Sequence, residues 1–141
     1  MNETKYLVDT SALIRLLLNP HVLCEWRRTV TDGLISTCTI TEIELLYTAR
    51  SHADRERQEA LLRELFGWVV MPDGVFERAA RLQAVLAAKG AHRSAGPVDL
   101  LTAVTAEEHG LTLLHYDRDF VRVAEVTGQP VHWLAKPGTV D

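Results

Sequence analysis

The sequence predicts an α/β fold, in which a parallel sheet lies between two layers of helices. The alternation of two kinds of segment along the chain supports it. Short apolar runs of strand character alternate along the chain with longer segments whose apolar residues recur at helical spacing. Connections between parallel strands of one sheet are nearly always right-handed, which restricts the topology further. A chain of 141 residues suits one domain, so we expect residues 1–141 to form a single domain.

The first elements follow from turn and cap signals. Tyr6–Asp9 is predicted to be a short buried strand, and Ser11 is expected to cap a helix through Ala12–Leu18. His21–Thr31 is predicted to be a second helix, because the Asp-Gly pair after it is a stop signal.

The middle of the chain predicts two strands and two helices. The strand Leu34–Thr37 leads into a helix that begins at Thr39 or Thr41 and runs to about Arg50. A charged helix, Arg55–Phe66, follows, and then a strand, Trp68–Met71. Helical spacing predicts that the buried side of the first of these helices carries Ile40, Ile43, Leu46 and Tyr47.

The last third contains the strongest helical pattern, Val75–Lys89, followed by a loose Gly-rich segment. Pro97 suits the first position of a helix that runs to about His109. The predicted elements after it are a strand, a helix and a final strand, at Thr112–Tyr116, Arg118–Thr127 and Val131–Leu134.

Composition restricts the classes of function. The net charge of −4 argues against a broad phosphate-binding surface, although a metal bound in an acidic pocket reverses the local charge. Cys24 and Cys38 form no Cys-x-x-Cys pair, so neither a disulfide framework nor a cysteine zinc site is expected. The sequence shows no signal-peptide plan and no apolar run that could span a bilayer. We therefore expect a cytoplasmic protein without a membrane partner.

Four carboxylates occupy positions that can share one edge of the sheet. Asp9 and Asp117 follow predicted strands, while Glu42 and Asp99 lie in first helical turns. Ligands of parallel sheets bind outside the carboxyl ends of the strands. An acidic residue in a first turn also stabilises the helix dipole, which alone explains Glu42 and Asp99 if each is taken singly. Asp9 directly follows an apolar run, where a buried charge needs a partner or a metal.

Convergence of these carboxylates predicts a metal site. Several carboxylates in one pocket repel one another unless some are protonated or a cation joins them. Oxygen ligands favour Mg²⁺ or Mn²⁺, and such an ion activates water for attack on a phosphodiester. Glu42 and Glu44 compete for one position; the predicted buried side of their helix favours Glu42 and leaves Glu44 as a solvated residue.

At this point the chain resembles the PIN-domain ribonucleases, and in particular VapC-type toxins of type II toxin–antitoxin systems. The resemblance covers essentially the whole chain and rests on four motifs in order. They are Val8-Asp9-Thr10-Ser11-Ala12-Leu13, Thr41-Glu42-Ile43-Glu44, Pro97-Val98-Asp99-Leu100-Leu101-Thr102-Ala103 and His115-Tyr116-Asp117-Arg118-Asp119-Phe120.

The resemblance implies a PIN-like three-layer α/β/α sandwich with a central parallel sheet. It implies endonucleolytic cleavage of RNA that depends on Mg²⁺ or Mn²⁺, a homodimer, and neutralisation by a VapB-type antitoxin. The catalytic positions that it implies are Asp9, Glu42, Asp99 and Asp117, and the aspartates among them are the expected metal ligands. Ser11 matches a hydroxyl position near the metal. Asp119 matches a further acidic position, although a helix cap explains it as well.

Other residues have weaker functional interpretations. Lys89, His92 and Arg93 form a basic cluster before Asp99 that either holds the RNA backbone or is simply solvated. His115, at a strand end, is expected to be structural. The three tryptophans are expected to pack in the core rather than stack on bases, namely Trp26, Trp68 and Trp133.

Three alternatives compete with this prediction. A haloacid-dehalogenase-type phosphatase needs a second Asp two residues after the first, where this chain has Ser11. A receiver domain needs a Lys after a late strand, where this chain has Asp117. A PIN-fold binding module with a catalytically idle acidic pocket is the third, and the intact acidic positions argue against it.

Overall fold

Five parallel strands form the centre of the fold, in the order β3-β2-β1-β4-β5. The computed structural model of the protein describes residues 3–141, so Met1 and Asn2 of the predicted domain lie outside the described residues. The strands are β1 (Tyr6–Val8), β2 (Ile35–Thr37), β3 (Gly67–Trp68), β4 (Thr112–His115) and β5 (Val131–Trp133). The helices are α1 (Thr10–Leu18), α2 (Pro20–Glu25), α3 (Arg27–Thr31), α4 (Thr39–Tyr47), α5 (His52–Leu65), α6 (Val75–Ala88), α7 (Pro97–Glu108) and α8 (Asp119–Thr127).

Both faces of the three central strands, β2, β1 and β4, are buried, as a parallel sheet with helical connections requires. In β1, Leu7 faces a core shared with α6, α7 and α8, whereas Tyr6 and Val8 face a second core shared with α1, α2 and α5. The same alternation divides Leu113 from Leu114 in β4. The predicted three-layer α/β/α sandwich with a central parallel sheet is confirmed.

Several predicted element boundaries are wrong, including the start of α5, which begins at His52 rather than Arg55. The predicted helix His21–Thr31 is interrupted at Trp26, whose indole Nε1 donates to the Leu134 carbonyl at 2.9 Å and whose ring packs edge-on against Tyr6. The third strand is limited to Gly67–Trp68 at the sheet edge. The cap of α1 is Asp9 rather than Ser11, because the Asp9 carboxylate accepts the first free N–H groups of the helix.

The predicted buried side of α4 is wrong for two of its four residues, since Ile40 and Leu46 pack against the cores but Ile43 and Tyr47 do not. Ile43 and Tyr47 are 58% and 89% exposed, whereas Thr41, Glu42 and Leu45 are buried. Helical spacing locates an apolar stripe, but it does not say whether that stripe faces the core or the solvent. This rotation of α4 decides where its two glutamates point.

Among residues 3–141, no helix is long and apolar enough to cross a membrane.

Candidate active site

The ends of two neighbouring strands bring Asp9 and Asp117 to one edge of the sheet. β1 and β4 are hydrogen-bonded neighbours, and the pairing continues past β1 because the Asp9 N–H donates to the Leu114 carbonyl at 3.0 Å. Asp117 follows β4 after one intervening residue, Tyr116. This edge is where ligands of parallel sheets bind.

Asp9 is almost fully buried and held from three sides. Its carboxylate accepts the N–H groups of Ala12 at 3.0 Å and of Ser11 at 3.2 Å, and the Ser11 hydroxyl lies 2.8 Å from both of its oxygens. Burial raises the pKa of Asp9 to about 7, and the Asp99 carboxylate adds to the rise, although these hydrogen bonds oppose it. The charged form of Asp9 is thus unfavourable without a cation.

Ser11 connects the two strand ends. Its hydroxyl donates to Asp9 and accepts the Tyr116 N–H at 2.9 Å. Ser11 therefore lies beside Asp9 and holds that carboxylate in place, while its expected position near a metal stays a prediction.

Asp99 lies at the centre of the acidic group. It stands in the first turn of α7, where it accepts the Gly96 N–H at 3.1 Å. Burial raises the pKa of Asp99 to about 6, and the carboxylates of Asp117, Glu44 and Asp119 raise it further. Asp9 and these three carboxylates therefore all interact electrostatically with Asp99.

The loop after β4 orients Asp117. Its N–H donates to His115 Nδ1 at 3.2 Å, and its Oδ1 accepts the Asp119 N–H at 2.9 Å, at the start of α8. Burial and the neighbouring Asp117 raise the pKa of Asp119. Asp119 therefore does not cap α8 with its side chain; it extends the acidic group.

His115 is fully buried and supports this loop, in agreement with the structural role expected for it. Burial lowers its pKa to about 4, although Asp117 opposes the shift, so the ring is neutral near pH 7. Because Nδ1 accepts a hydrogen bond, the proton resides on Nε2, which has no hydrogen-bond partner among residues 3–141.

Glu42 is placed differently from the aspartates. Its two carboxylate oxygens accept hydrogen bonds from Arg63 at 2.7 and 3.0 Å, and the Thr37 hydroxyl donates a further one. Burial raises the pKa of Glu42, but these hydrogen bonds outweigh it and leave the pKa lowered. The expected convergence of Glu42 with the aspartates therefore does not match its position, since the carboxylate is already neutralised between α4 and α5.

Glu44 is the glutamate of α4 that interacts electrostatically with Asp99. It is half-buried, and its carboxylate is one of those that raise the pKa of Asp99. No sequence signal identified it, because the burial of Thr41 and Leu45, which turns Glu44 toward α7, is seen only in the structure. The sequence did not indicate Arg63 either. It lies 21 residues after Glu42, in a charged helix whose pattern is typical of a solvent-exposed helix.

The donor set suits a hard cation, although the carboxylates are not drawn tightly together. Among residues 3–141, no group of three His, Cys, Asp or Glu side chains has the arrangement of a formed metal site. The donors are nevertheless all carboxylate oxygens, and mutual repulsion contributes to the raised pKa of Asp9 and Asp99. A divalent cation would relieve that repulsion, so the residues present fit such an ion.

The predicted basic cluster lies in the segment before α7. Lys89, His92 and Arg93 are exposed, while Ala91 and Ala95 anchor the segment to the core. Their role in RNA binding stays a prediction.

Sequence comparison finds a matching protein family and similar individual proteins. The family model for the PIN domain matches residues 6–126. "Ribonuclease VapC21" of Mycobacterium tuberculosis is 41% identical over 136 residues, which cover 96% of this chain and 98% of the relative. "Ribonuclease VapC51" of the same species is 38% identical over 137 residues, which cover 97% and 98%.

Solved structures share the fold. The DNA-bound VapBC structure from Salmonella typhimurium superposes with a TM-score of 0.74 at 22% identity, covering 94% of this chain and 100% of that chain. VapBC2 from Rickettsia felis, bound to a promoter DNA fragment, gives a TM-score of 0.76 at 15% identity, covering 92% and 98%.

Proposed function

Because this chain belongs to the PIN-domain family, we propose that it is a ribonuclease and the toxin of a type II toxin–antitoxin system. The observation that carries the proposal is the set of carboxylates around Asp99. They lie at the carboxyl ends of the strands, where ligands of this fold class bind. The names of the relatives support ribonuclease activity, and four motifs in the expected order support the same family.

The metal that fits this donor set is Mg²⁺ or Mn²⁺, held by Asp9, Asp99 and Asp117. When bound, the ion would lower the pKa of a coordinated water and stabilise charge that develops on the phosphate. The rest of the site consists of the protein's own groups. Ser11 and two backbone N–H groups hold Asp9, His115 holds the backbone of Asp117, and Gly96 holds Asp99.

We propose Glu44, rather than Glu42, as the fourth catalytic carboxylate. Glu44 interacts electrostatically with Asp99 and has no ion pair among residues 3–141. Glu42 is instead a structural residue, because its pair with Arg63 joins α4 to α5. Asp119 is a further acidic member of the site.

A VapB-type antitoxin is the proposed protein partner. Solved relatives of this fold are VapBC complexes. The acidic group explains how inhibition works: an Arg or Lys near the carboxyl terminus of the antitoxin would pair with Asp9 and Asp99 and obstruct metal and RNA together. We also propose a homodimer, which the exposed apolar side chains Tyr47 and Phe76, 89% and 72% exposed, would help to form.

Removal of metal tests the proposal against the idle binding module. The purified chain should cleave single-stranded RNA with Mg²⁺ or Mn²⁺, lose cleavage in EDTA, and recover it when excess Mg²⁺ is added back. RNA binding without cleavage under all these conditions would favour the binding module. Cleavage at full rate in a verified metal-free sample would contradict the metal mechanism.

A further inference from the structure

A cleft runs from the acidic group along helix α8. Two adjoining concavities of about 370 and 380 Å³ share Arg118, Trp133 and Pro137 in their walls. The first also contains Asp117, and the second extends to Arg122. Volumes of this size lie at the lower end of small-ligand sites. The cleft therefore begins at a proposed metal ligand and has room for one small ligand beside it.

Positive charge lines one wall of this cleft. The Arg118 side chain makes no ion pair or hydrogen bond among residues 3–141, and Arg118 directly follows Asp117 in the chain. Arg122, one turn further along α8, lies 4.0 Å from Glu125, a distance at which the exposed pair leaves the guanidinium free to bind another anion. Two arginines thus face the cleft beside the carboxylates of Asp117 and Glu125. Of the two, Arg118 has no side-chain partner within the described part of the chain that would compete with an anionic ligand.

The floor of the cleft is an aromatic ring. Trp133 is half-buried: its ring centroid lies 4.7 Å from that of His115, and it meets Tyr116 edge-on at 5.7 Å. His115 in turn accepts the Asp117 N–H. The indole is therefore fixed relative to the acidic group, while part of it remains open to the cleft. Trp133 was expected to pack in the core. That expectation is wrong for the part of the ring that lines the cleft.

The opposite wall is fixed before any ligand arrives. The Tyr116 hydroxyl accepts the N–H groups of Thr139 and Val140, both at 2.9 Å, and donates to the Lys136 carbonyl at 3.2 Å. These bonds hold the turn that contains Pro137 next to Trp133. A preformed wall lowers the entropy lost when a ligand binds.

We propose that this cleft binds a nucleotide of the RNA strand next to the cleaved phosphodiester. Trp133 stacks on the base, and Arg118 and Arg122 bind the flanking phosphates. Proteins bind single-stranded RNA by this combination of an aromatic platform with cations along the backbone. The inference rests on the proposed ribonuclease function. It adds a binding position for the nucleotide that lies next to the metal site.

Binding of a non-cleavable RNA tests the cleft separately from catalysis. The probe is a 2′-O-methyl single strand of mixed sequence, about 12 nucleotides long, measured by fluorescence anisotropy with Mg²⁺ present. Trp133→Leu removes the platform. Trp68→Leu is the matched control, since Trp68 is a half-exposed tryptophan on β3, the opposite edge strand. Arg122→Gln is compared with Arg55→Gln, which also removes an exposed Arg paired with a Glu on its own helix.

We expect Trp133→Leu to raise the Kd by about 5- to 150-fold, the range for losing one stacked base, and Trp68→Leu to leave it within about 2-fold. Arg122→Gln should weaken binding and reduce the salt slope of log K by about 1. Arg122 is exposed, so its variant should fold normally even if Trp133→Leu does not.

The outcomes separate the two claims. If the wild type binds and cleaves RNA while Trp133→Leu and Arg122→Gln bind as tightly as their controls, the cleft assignment is overturned and the ribonuclease proposal stands. A wild type that neither binds the probe nor cleaves RNA would overturn both.

Discussion

Glu42 and Arg63 form a two-point ion pair, in which the carboxylate oxygens lie 2.7 and 3.0 Å from the guanidinium nitrogens. The Glu42 side chain is 8% exposed, whereas that of Arg63 is 54% exposed. Two residues further along α4, Glu44 interacts with Asp99 instead. The two glutamates of one helix thus have separate partners, Arg63 for Glu42 and Asp99 for Glu44.

Replacement of each glutamate by glutamine distinguishes their roles. Glu44→Gln should lower the single-turnover rate of RNA cleavage by about 10- to 100-fold, as is typical when a group around a metal is lost. Glu42→Gln should retain most of the activity well below its melting temperature. If folded Glu42→Gln is inactive and Glu44→Gln is fully active, the fourth carboxylate is Glu42, as helical spacing first indicated.

Loss of the Arg63 guanidinium should reduce stability. Arg63→Met leaves Glu42 buried without its cation, and we expect a loss of about 1–3 kcal/mol in the free energy of unfolding. Urea denaturation measures this loss. The double variant Arg63→Met/Glu42→Gln should recover part of it, because the buried charge is then gone. A double variant that is less stable than Arg63→Met alone would contradict a charge-based explanation.

The Ser11 hydroxyl should support both stability and metal affinity. Ser11→Ala removes a hydrogen bond to Asp9 and leaves the Tyr116 N–H without its acceptor, at an expected cost of about 1–3 kcal/mol. The affinity for Mn²⁺, measured by calorimetry, should fall by about 10-fold or more. Ser11→Thr keeps the hydroxyl and should restore both quantities. Ser94→Ala, which removes a hydroxyl bonded to Ala91, is the control for stability.

The raised pKa of Asp9 predicts a pH-dependent effect of Asp9→Asn. The folded-state pKa is about 7 and the model-compound value 3.8, so between these pH values the folded state keeps a proton that the unfolded state releases. Ionised Asp9 therefore lowers stability progressively as pH rises through this window, and the loss is complete above about pH 7. Asn caps a helix as well as Asp does, so the cap itself should survive.

The measurement is the difference in the free energy of unfolding between Asp9→Asn and wild type, in EDTA. It should grow from pH 4 to pH 7 by an amount on the order of 1–4 kcal/mol and then level off. Taking the difference cancels the opposite trend that His115 contributes between its lowered pKa of about 4 and its usual value of 6.5. A difference that does not change with pH would show that Asp9 is not the group whose charge is disfavoured. Asp73→Asn, in an exposed turn, is the control.

Much of the fold and part of the site follow from local sequence. Apolar runs such as Leu7-Val8 predict strands buried on both faces, and a parallel sheet then brings Asp9 and Asp117 to one edge. The orientation of α4 could not be predicted, because Ile43 and Tyr47 form an apolar stripe that faces solvent. Such a stripe is what a homodimer contact would use, and helical spacing does not distinguish it from a core face.

Contacts between distant residues account for the other errors. The break at Trp26 depends on the Leu134 carbonyl, 108 residues away, and the partner of Glu42 lies on another helix. Neither contact leaves a local pattern in the sequence. The extent of the domain over residues 1–141 stays a prediction.

The central claim is that the carboxylates around Asp99 hold the metal with which this protein cleaves RNA. Asp99→Asn tests it most directly, because Asp99 interacts with the largest number of the other carboxylates and Asn keeps its size. Mn²⁺ affinity by calorimetry and RNA cleavage in the same buffer should both fall, the cleavage rate by at least about 100-fold, while the circular dichroism spectrum stays that of the wild type. An Asp99→Asn variant that binds Mn²⁺ and cleaves RNA as the wild type does would contradict the account.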